Sequence, residues 1–482
     1  MGCATTQRKT EELINLAKQE INKLTQQSLL FESEVDAAVD KVFASLQNAN
    51  IHTVGPEIIF GRIYDHIGFG VINEPLFRHL VLSRIAFPLS KLKTVDYLYR
   101  YQGKSLDIDS VYRFLDKLNS KLKSQVEQIA FSHTQKVLKG KISVVFYDMT
   151  TLHFEASDED DLRKTGFSKE GKHQCPQIYI GLLVGLGGYA IGYDIFEGNA
   201  YEGHTLIPFL ERISSKFNLD KPVVIADSGL LSRTNIAALE QNGYEYILGA
   251  RIKNENEAVK AQILDAGLTD GMTVSFSKGS KQRLIINHSK TRAKKDAYNR
   301  ARGLKRLEDK VKRGRLTKAN INNRGYNKYL KIEGDVKVNI DYEKYNQDAR
   351  WDGLKGYLTN TKLTDTQVVE SYSNLWYVER AFRMSKTDLR IRPIYHRLQH
   401  RIQAHICIAF TAYCIYKELE RVLKHEKSTL SLKKAAEITH NMYQVTYILP
   451  DSNHTKSRLL KMDEEQSGLF EIINKHFRVL QR

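Results

Sequence analysis

Apolar positions in this chain fall into three regimes. Up to about residue 140 they recur every three or four residues, the spacing of helices with one buried stripe. Leu13, Ile14, Ala17, Ile21 and Leu24 form the face of a first helix, expected to pack. Val35, Ala38, Val39 and Val42 continue the pattern. Leu80, Leu82, Ile85 and Leu89 lead to Ser90, a suitable N-cap for a helix over 91–101. Gly103 separates it from a helix over 109–122 carrying Val111, Phe114, Leu115 and Leu118. Two helices across a Gly-containing turn suggest a helix-turn-helix, with Arg100, Lys104, Arg113, Lys117 and Lys121 available to phosphates.

From 141 to 253 the period changes. Short β-branched runs at 143–147 and 223–226 read as strands buried on both faces. Strands over Gln177–Val184 and 189–196 are joined by Gly185-Leu-Gly-Gly188, a hairpin signal. Helices are expected over 204–217 and 232–242, and a strand over 244–250. Residues 254–349 break the pattern, leaving strand-like 273–276, 283–286 and 329–332. Beyond them, 372–386 reads as one amphipathic helix seated by Trp376, Val378, Phe382 and, further on, Ile391. An apolar helix over 402–419 follows, then a helical tail and a strand-like 443–449. The expected division is a helical N-terminal region at 1–140, carrying the candidate helix-turn-helix, and a strand-and-helix domain in two parts, 141–253 and 350–424. A basic insertion at 254–349 separates those parts, and a tail at 425–482 could serve dimerisation.

Charge sharpens this picture. The 482 residues carry a net charge of +17, which suggests a polyanionic partner. Between Lys290 and Lys318 there are 13 basic and 3 acidic residues, a surplus of 10 in one short stretch. A solvated charged helix is the bland reading, and the concentration of charge favours a surface tracking DNA phosphates. Cys3, Cys175, Cys407 and Cys414 have no CxxC spacing, and no His stands at zinc-finger intervals. The expectation is a reducing compartment and no structural zinc. No apolar run reaches membrane length. Met1-Gly-Cys-Ala-Thr-Thr6 matches a myristoylation pattern in form only, and no membrane partner is expected.

The candidate chemistry lies in three acids. The first run delivers Asp148 at its exit and the second delivers Asp227, while Glu379 stands midway along the helix over 372–386. Either aspartate alone could be a turn or cap residue. Together the three offer the oxygen donors that a pair of hard divalent cations requires, with open positions for water and phosphate. Tyr372, Glu379 and Lys386 recur every seven residues, so they share one helical stripe. His173, near the exit of the first strand, could be a catalytic helper, and a surface or packing role suits it better.

On these residues the chain resembles DDE transposases of the insertion-sequence group signed Tyr-x2-Arg-x3-Glu-x6-Lys, the IS-four superfamily. Tyr372, Glu379 and Lys386 match that signature, and Leu375 stands at the Arg position. Further segments resemble the group: Tyr147-Asp-Met-Thr-Thr-Leu, Gly166-Phe-Ser-Lys-Glu, Pro176-Gln-Ile, Phe196-Glu-Gly-Asn, Ala226-Asp-Ser-Gly-Leu and Asp352-Gly-Leu-Lys-Gly-Tyr-Leu-Thr-Asn-Thr.

The resemblance implies an α/β fold: a ribonuclease-H-like domain with a mixed five-stranded sheet, flanking helices and an insertion. In that fold the first and fourth strands are neighbours, bringing Asp148 and Asp227 together. It also implies two Mg²⁺ ions on Asp148, Asp227 and Glu379, with Mn²⁺ as a substitute. Tyr372, Lys386 and Arg383 would grip DNA, and Arg380 or Arg383 would cover for Leu375. Trp351 could stack on a flipped base, although a core role suits it better. The implied partners are double-stranded DNA, as terminal inverted repeats and target, and a second copy on paired ends. The implied location is cytoplasmic, at the bacterial nucleoid. Rival readings are a domesticated DNA-binding protein that no longer cuts, and a ribonuclease-H-like nuclease without strand transfer.

Overall fold

A computed structural model describes residues 6–25, 34–47, 50–155, 158–166, 171, 174–313, 316, 321–322, 325–333, 337–449 and 452–477. Cys3, the myristoylation-like start, His173 and most of the Gly166-Phe-Ser-Lys-Glu segment lie outside them. The chain divides into two units. One comprises Met1–Ile63, Leu89–Val111 and Val422–Arg482, and the other Tyr64–Pro88 and Tyr112–Arg421.

In the first unit, Tyr443–Ile448 is the middle strand of a three-stranded antiparallel sheet, between Ile51–Thr53 and Thr455–Leu459. Ser90 caps the helix Lys91–Gln102 by accepting the Lys93 N–H at 3.3 Å, and Gly103 ends it at φ 64°. The first helix, Gln7–Thr25, departs from expectation: Ile14 and Ile21 are about half exposed rather than packed. Both helices expected on either side of Gly103 are present, and the second is longer than expected. Ile108–Lys117 runs on through a π-helical turn, Leu118–Leu122, into Lys123–Val137, and the two units divide between Val111 and Tyr112.

The second unit is built on one mixed sheet. Its strands are β1 Val144–His153, β2 Gln177–Val184, β3 Ala190–Glu197, β4 Val223–Ala226, β5 Tyr246–Ala250, β6 Thr273–Lys278, β7 Gln282–His288 and β8 Leu354–Thr359. Their order across the sheet is β3-β2-β1-β4-β5-β8-β7-β6. β1, β2 and β3 are antiparallel neighbours, and β4 and β5 run parallel to β1. The expected five strands are therefore extended to eight. β8 continues the sheet beyond β5, and β7 and β6, from the insertion, complete it. Tyr246–Ala250 is a buried strand whose outer backbone groups need partners, and β8 supplies them.

Strand alternation assigns the two faces. Val145, Tyr147 and Met149 of β1 and Val224 and Ala226 of β4 enter a core with Leu206, Phe209, Leu210 and Ile213 of helix α1, Leu206–Phe217. Helix α2, Arg233–Gln241, adds Leu239. Phe146, Asp148 and Thr150 therefore point to the opposite face, as do Ile225 and, one residue past the strand, Asp227.

The basic run forms helix α3, Lys290–Lys312, whose Leu307 packs with Tyr329 and Leu330 in a separate small core. The expected helix over 372–386 is instead three pieces: α4 Asp365–Ser373, α5 Trp376–Arg383 and a π-helical turn, Met384–Asp388. At the join, Leu375, Tyr377 and Val378 donate to the carbonyls of Tyr372, Asn374 and Leu375. These three-residue bonds tighten the helix by part of a turn. Val378, Phe382 and Ile391 are buried as expected, but Trp376 is exposed beside Tyr377. The apolar stretch after it is helix α6, Gln399–His425.

Candidate active site

β1 and β4 pair in parallel with Tyr147 opposite Ala226, so Asp148 and Asp227 occupy the next step on adjoining strands. Adjacent strands lie roughly 4.8 Å apart, which makes the two carboxylates neighbours on one sheet face. Each is held by local backbone: Asp148 Oδ1 accepts its neighbour Met149 N–H at 2.7 Å, and Asp227 Oδ1 accepts Gly229 N–H at 2.8 Å. Both are half-buried, so each keeps access to solvent.

Helix α5 lies over the same face. Its Tyr377 meets Phe146 of β1 ring edge to ring face, with centroids 5.8 Å apart, and the helix contacts both β1 and β2. Val378, Ala381 and Phe382 are buried while Glu379 is exposed. The three acids are thus gathered on one side of the sheet, yet they do not close into a single cage. Among the described residues, Asp148, Asp227 and Glu379 do not form a set with all ligand atoms within 4.8 Å of one another.

Tyr372 sits at the centre of this arrangement. It is buried, and its ring packs edge-on against Tyr357 of β8 at 4.9 Å. Its hydroxyl approaches Gly249 of β5, which stands directly opposite Tyr357 in the sheet. Burial raises the phenol's pKa well above the usual tyrosine value, and the negative fields of Asp227, then Glu379 and Asp148, add to the rise.

Lys355 of β8, which no sequence pattern singled out, lies over the Tyr372 ring at 4.3 Å. Burial and Arg292 lower its pKa, and Glu379 opposes them. Its place within Asp352-Gly-Leu-Lys-Gly was the available signal. Gly249 was also missed, although glycine inside a buried strand marks a close approach.

Lys386, on the π-helical turn, lines a small cavity with Thr150 and Leu152 of β1, on the same face as Asp148. Tyr372, Glu379 and Lys386 are respectively buried, exposed and half-buried, so they are not one solvent-facing stripe. Arg383 is exposed in the last turn of α5. Arg380 pairs with buried Glu420, which Lys417 also holds, and lies over Trp376 at 5.7 Å. Trp351 is half-buried, with Lys253 over its ring at 5.9 Å. It is one wall of a 530 Å³ cleft that Tyr372, Lys355, Arg292 and Arg300 also line.

Residues 139–415, more than half of the chain, match the family described as Transposase DDE domain. The chain belongs to this family. A DDE transposase is a DNA-cleaving and strand-transfer enzyme, and the matched span includes every residue of the site described above. DDE transposases generally depend on divalent metal. No curated protein matches the chain. Among solved structures, it resembles piggyBac transposase in its synaptic complex with hairpin DNA. That likeness has 11% identity and a TM-score of 0.40, covering 80% of this chain and 76% of that one. It also resembles the Mos1 transposase paired-end complex with left transposon end, at 11% identity and a TM-score of 0.17, covering 33% and 53%. Among the described residues of this DDE transposase, no helix is long and apolar enough to cross a membrane.

Proposed function

We propose that this DDE transposase is encoded by an insertion sequence of the Tyr/Arg/Glu/Lys group. On this reading it cuts at the element's ends and joins them to target DNA. The observation that carries the reading is the adjacency of Asp148 and Asp227 across β1 and β4, with Glu379 on the helix over the same face. The order and directions of the first five strands support a ribonuclease-H-like core. Asp148, Asp227 and Glu379 are the catalytic residues.

The donor set fits hard divalent ions: three carboxylates, no thiolate or imidazole among them, on a face open to solvent. Three such carboxylates suit a pair of ions, here Mg²⁺ with Mn²⁺ as a substitute. Such a pair, when bound, supplies the Lewis acidity for in-line displacement at phosphorus, first by water and later by a DNA 3′-hydroxyl.

The protein's own groups do the rest. The backbone N–H groups of Met149 and Gly229 orient the two aspartates. Tyr372, kept protonated, is a hydrogen-bond donor rather than a nucleophile. Lys355 and Lys386 set positive charge beside the acids, where the phosphates of the cut strand would lie. Arg383 and the exposed basic side chains of α3 extend that track, and Trp351 offers a ring to an unstacked base from the wall of the cleft. The helical N-terminal region binds the terminal repeats, two copies act on paired ends, and the work takes place at the nucleoid.

The test is incubation of purified protein with element-end duplex and Mg²⁺. Clean 3′-hydroxyl ends plus joined products are expected. Asp227→Ala should lower cutting on the order of 10³-fold or more while leaving binding within a few-fold. Cutting without joining would indicate a nuclease, and retarded but intact DNA a binding protein.

A further inference from the structure

Two helices end at the same place in the first unit, and each ends on a histidine. His425 is the last residue of α6, and His476 is the last residue of α7, Glu464–His476. Glu426 follows directly on His425. One of its oxygens, Oε1, meets His425 Nδ1 at 3.0 Å and His476 Nε2 at 2.7 Å. The two imidazoles stand nearly perpendicular with centroids 5.2 Å apart. The other oxygen, Oε2, accepts Lys475 Nζ at 2.7 Å. Among the described residues, this trio alone offers three metal-ligating groups with all donor atoms within 4.8 Å of one another.

Two further features favour a cation here. The last turn of an α-helix carries unpaired carbonyls and the negative end of the helix dipole, so two such ends at one point reinforce each other. The donors are also of the right kind. Two neutral imidazole nitrogens and one carboxylate oxygen form a borderline set, suited to a first-row transition ion and poorly matched to Mg²⁺. Each imidazole can turn its lone pair inward by moving its proton to the opposite ring nitrogen. Lys475 can keep its bond to Oε2 while Oε1 serves the ion.

We propose that His425, Glu426 and His476 form a binding site for a divalent transition ion of the Zn²⁺ class, with water completing four-coordination. The ion would clip the C-terminal helix α7 to the end of α6. The site uses no residue of the proposed DNA-cutting chemistry and takes a different class of metal. Zinc-finger spacing does not reveal it, because His476 lies 50 residues from Glu426 and meets the adjacent His425 and Glu426 only in space.

The experiment uses untagged, metal-free, full-length protein titrated with Zn²⁺ in excess Mg²⁺, followed by calorimetry and thermal melting. One equivalent should bind and raise the melting temperature. His425→Ala and His476→Ala should each weaken binding by at least about tenfold and abolish the thermal shift. Asp227→Ala should bind Zn²⁺ as the unaltered chain does. Glu426→Gln, which keeps size and hydrogen bonding, should weaken binding if the alanine variants fold poorly. Co²⁺ on the unaltered protein should give the visible absorption of a four-coordinate ion and lose it to Zn²⁺. Unchanged Zn²⁺ affinity in both histidine variants would overturn the proposal. So would an unaltered protein that shows neither Zn²⁺ uptake nor a Co²⁺ spectrum, which would make the trio an ion-pair network only.

Discussion

The hydroxyl of Tyr372 fills the space that a side chain at Gly249 would take. A Cβ at Gly249 would lie 2.5 Å from that oxygen and 3.0 Å from the backbone nitrogen of Ser228. The glycine thus lets a helix-borne phenol reach the sheet next to Asp227. Gly249→Ala should displace Tyr372, lower cleavage at least about tenfold and cost about 1–3 kcal/mol of stability. Adding Tyr372→Phe should recover part of the stability, because the clashing oxygen is gone, without recovering activity. Urea unfolding of the two single variants and the double variant measures the coupling.

Arg380 and Arg383 are one turn apart and should behave differently. Arg380 and Lys417 both pair with buried Glu420, so Arg380→Ala, which leaves Lys417 in place, should cost about 1 kcal/mol of stability. Exposed Arg383 has no such role. Arg383→Ala should leave the melting temperature unchanged and lower the slope of log affinity against log salt by about one. Melting curves and salt-dependent DNA titrations separate the two.

Much of this site is legible along the chain, and the limits have physical causes. β2 spans the expected Gln177–Val184, and the Gly185–Gly188 signal joins it to β3, because hairpins and buried strands are specified by local residues. The pairing of β1 with β4 is non-local. It was anticipated only through family resemblance, as no spacing encodes it. The break between α4 and α5 has no Gly or Pro to announce it, being a shift of hydrogen-bond partners within helical dihedrals. β6, β7 and β8 carry strand signals in part, but the sheet edge they complete belongs to β5. Lys355 became visible only through its position over Tyr372.

Burial raises the pKa of both Tyr372 and Tyr357, the latter to about 12. A raised folded value favours the neutral phenol. Its contribution to stability is complete below the ordinary tyrosine value of roughly 10 and is lost as pH rises through the folded values. Ultraviolet titration should therefore show a set of tyrosines that ionise late and together with unfolding, and Tyr372→Phe should make that set smaller. Ionisation of Tyr372 near its ordinary value in the intact fold would contradict this.

Lys294, Lys295 and Arg302 are exposed on α3. Replacing all three with alanine should weaken DNA binding across sequences and reduce the salt slope by up to about three. Cleavage at saturating DNA and Mg²⁺ should be little changed, since none of the three carries the chemistry. Filter binding over a salt series and single-turnover cleavage give the two readings.

The sharing of divalent metal among the three acids is tested most directly by anomalous scattering from Mn²⁺ diffused into crystals of the full chain with an element-end duplex. The expected result is Mn²⁺ held by oxygens of Asp148 and Asp227, with Glu379 completing the site for a pair of ions and no Mn²⁺ there in Asp227→Ala. Mn²⁺ absent from Asp148 and Asp227 at concentrations that support cleavage, or bound with Glu379 uninvolved, would contradict it.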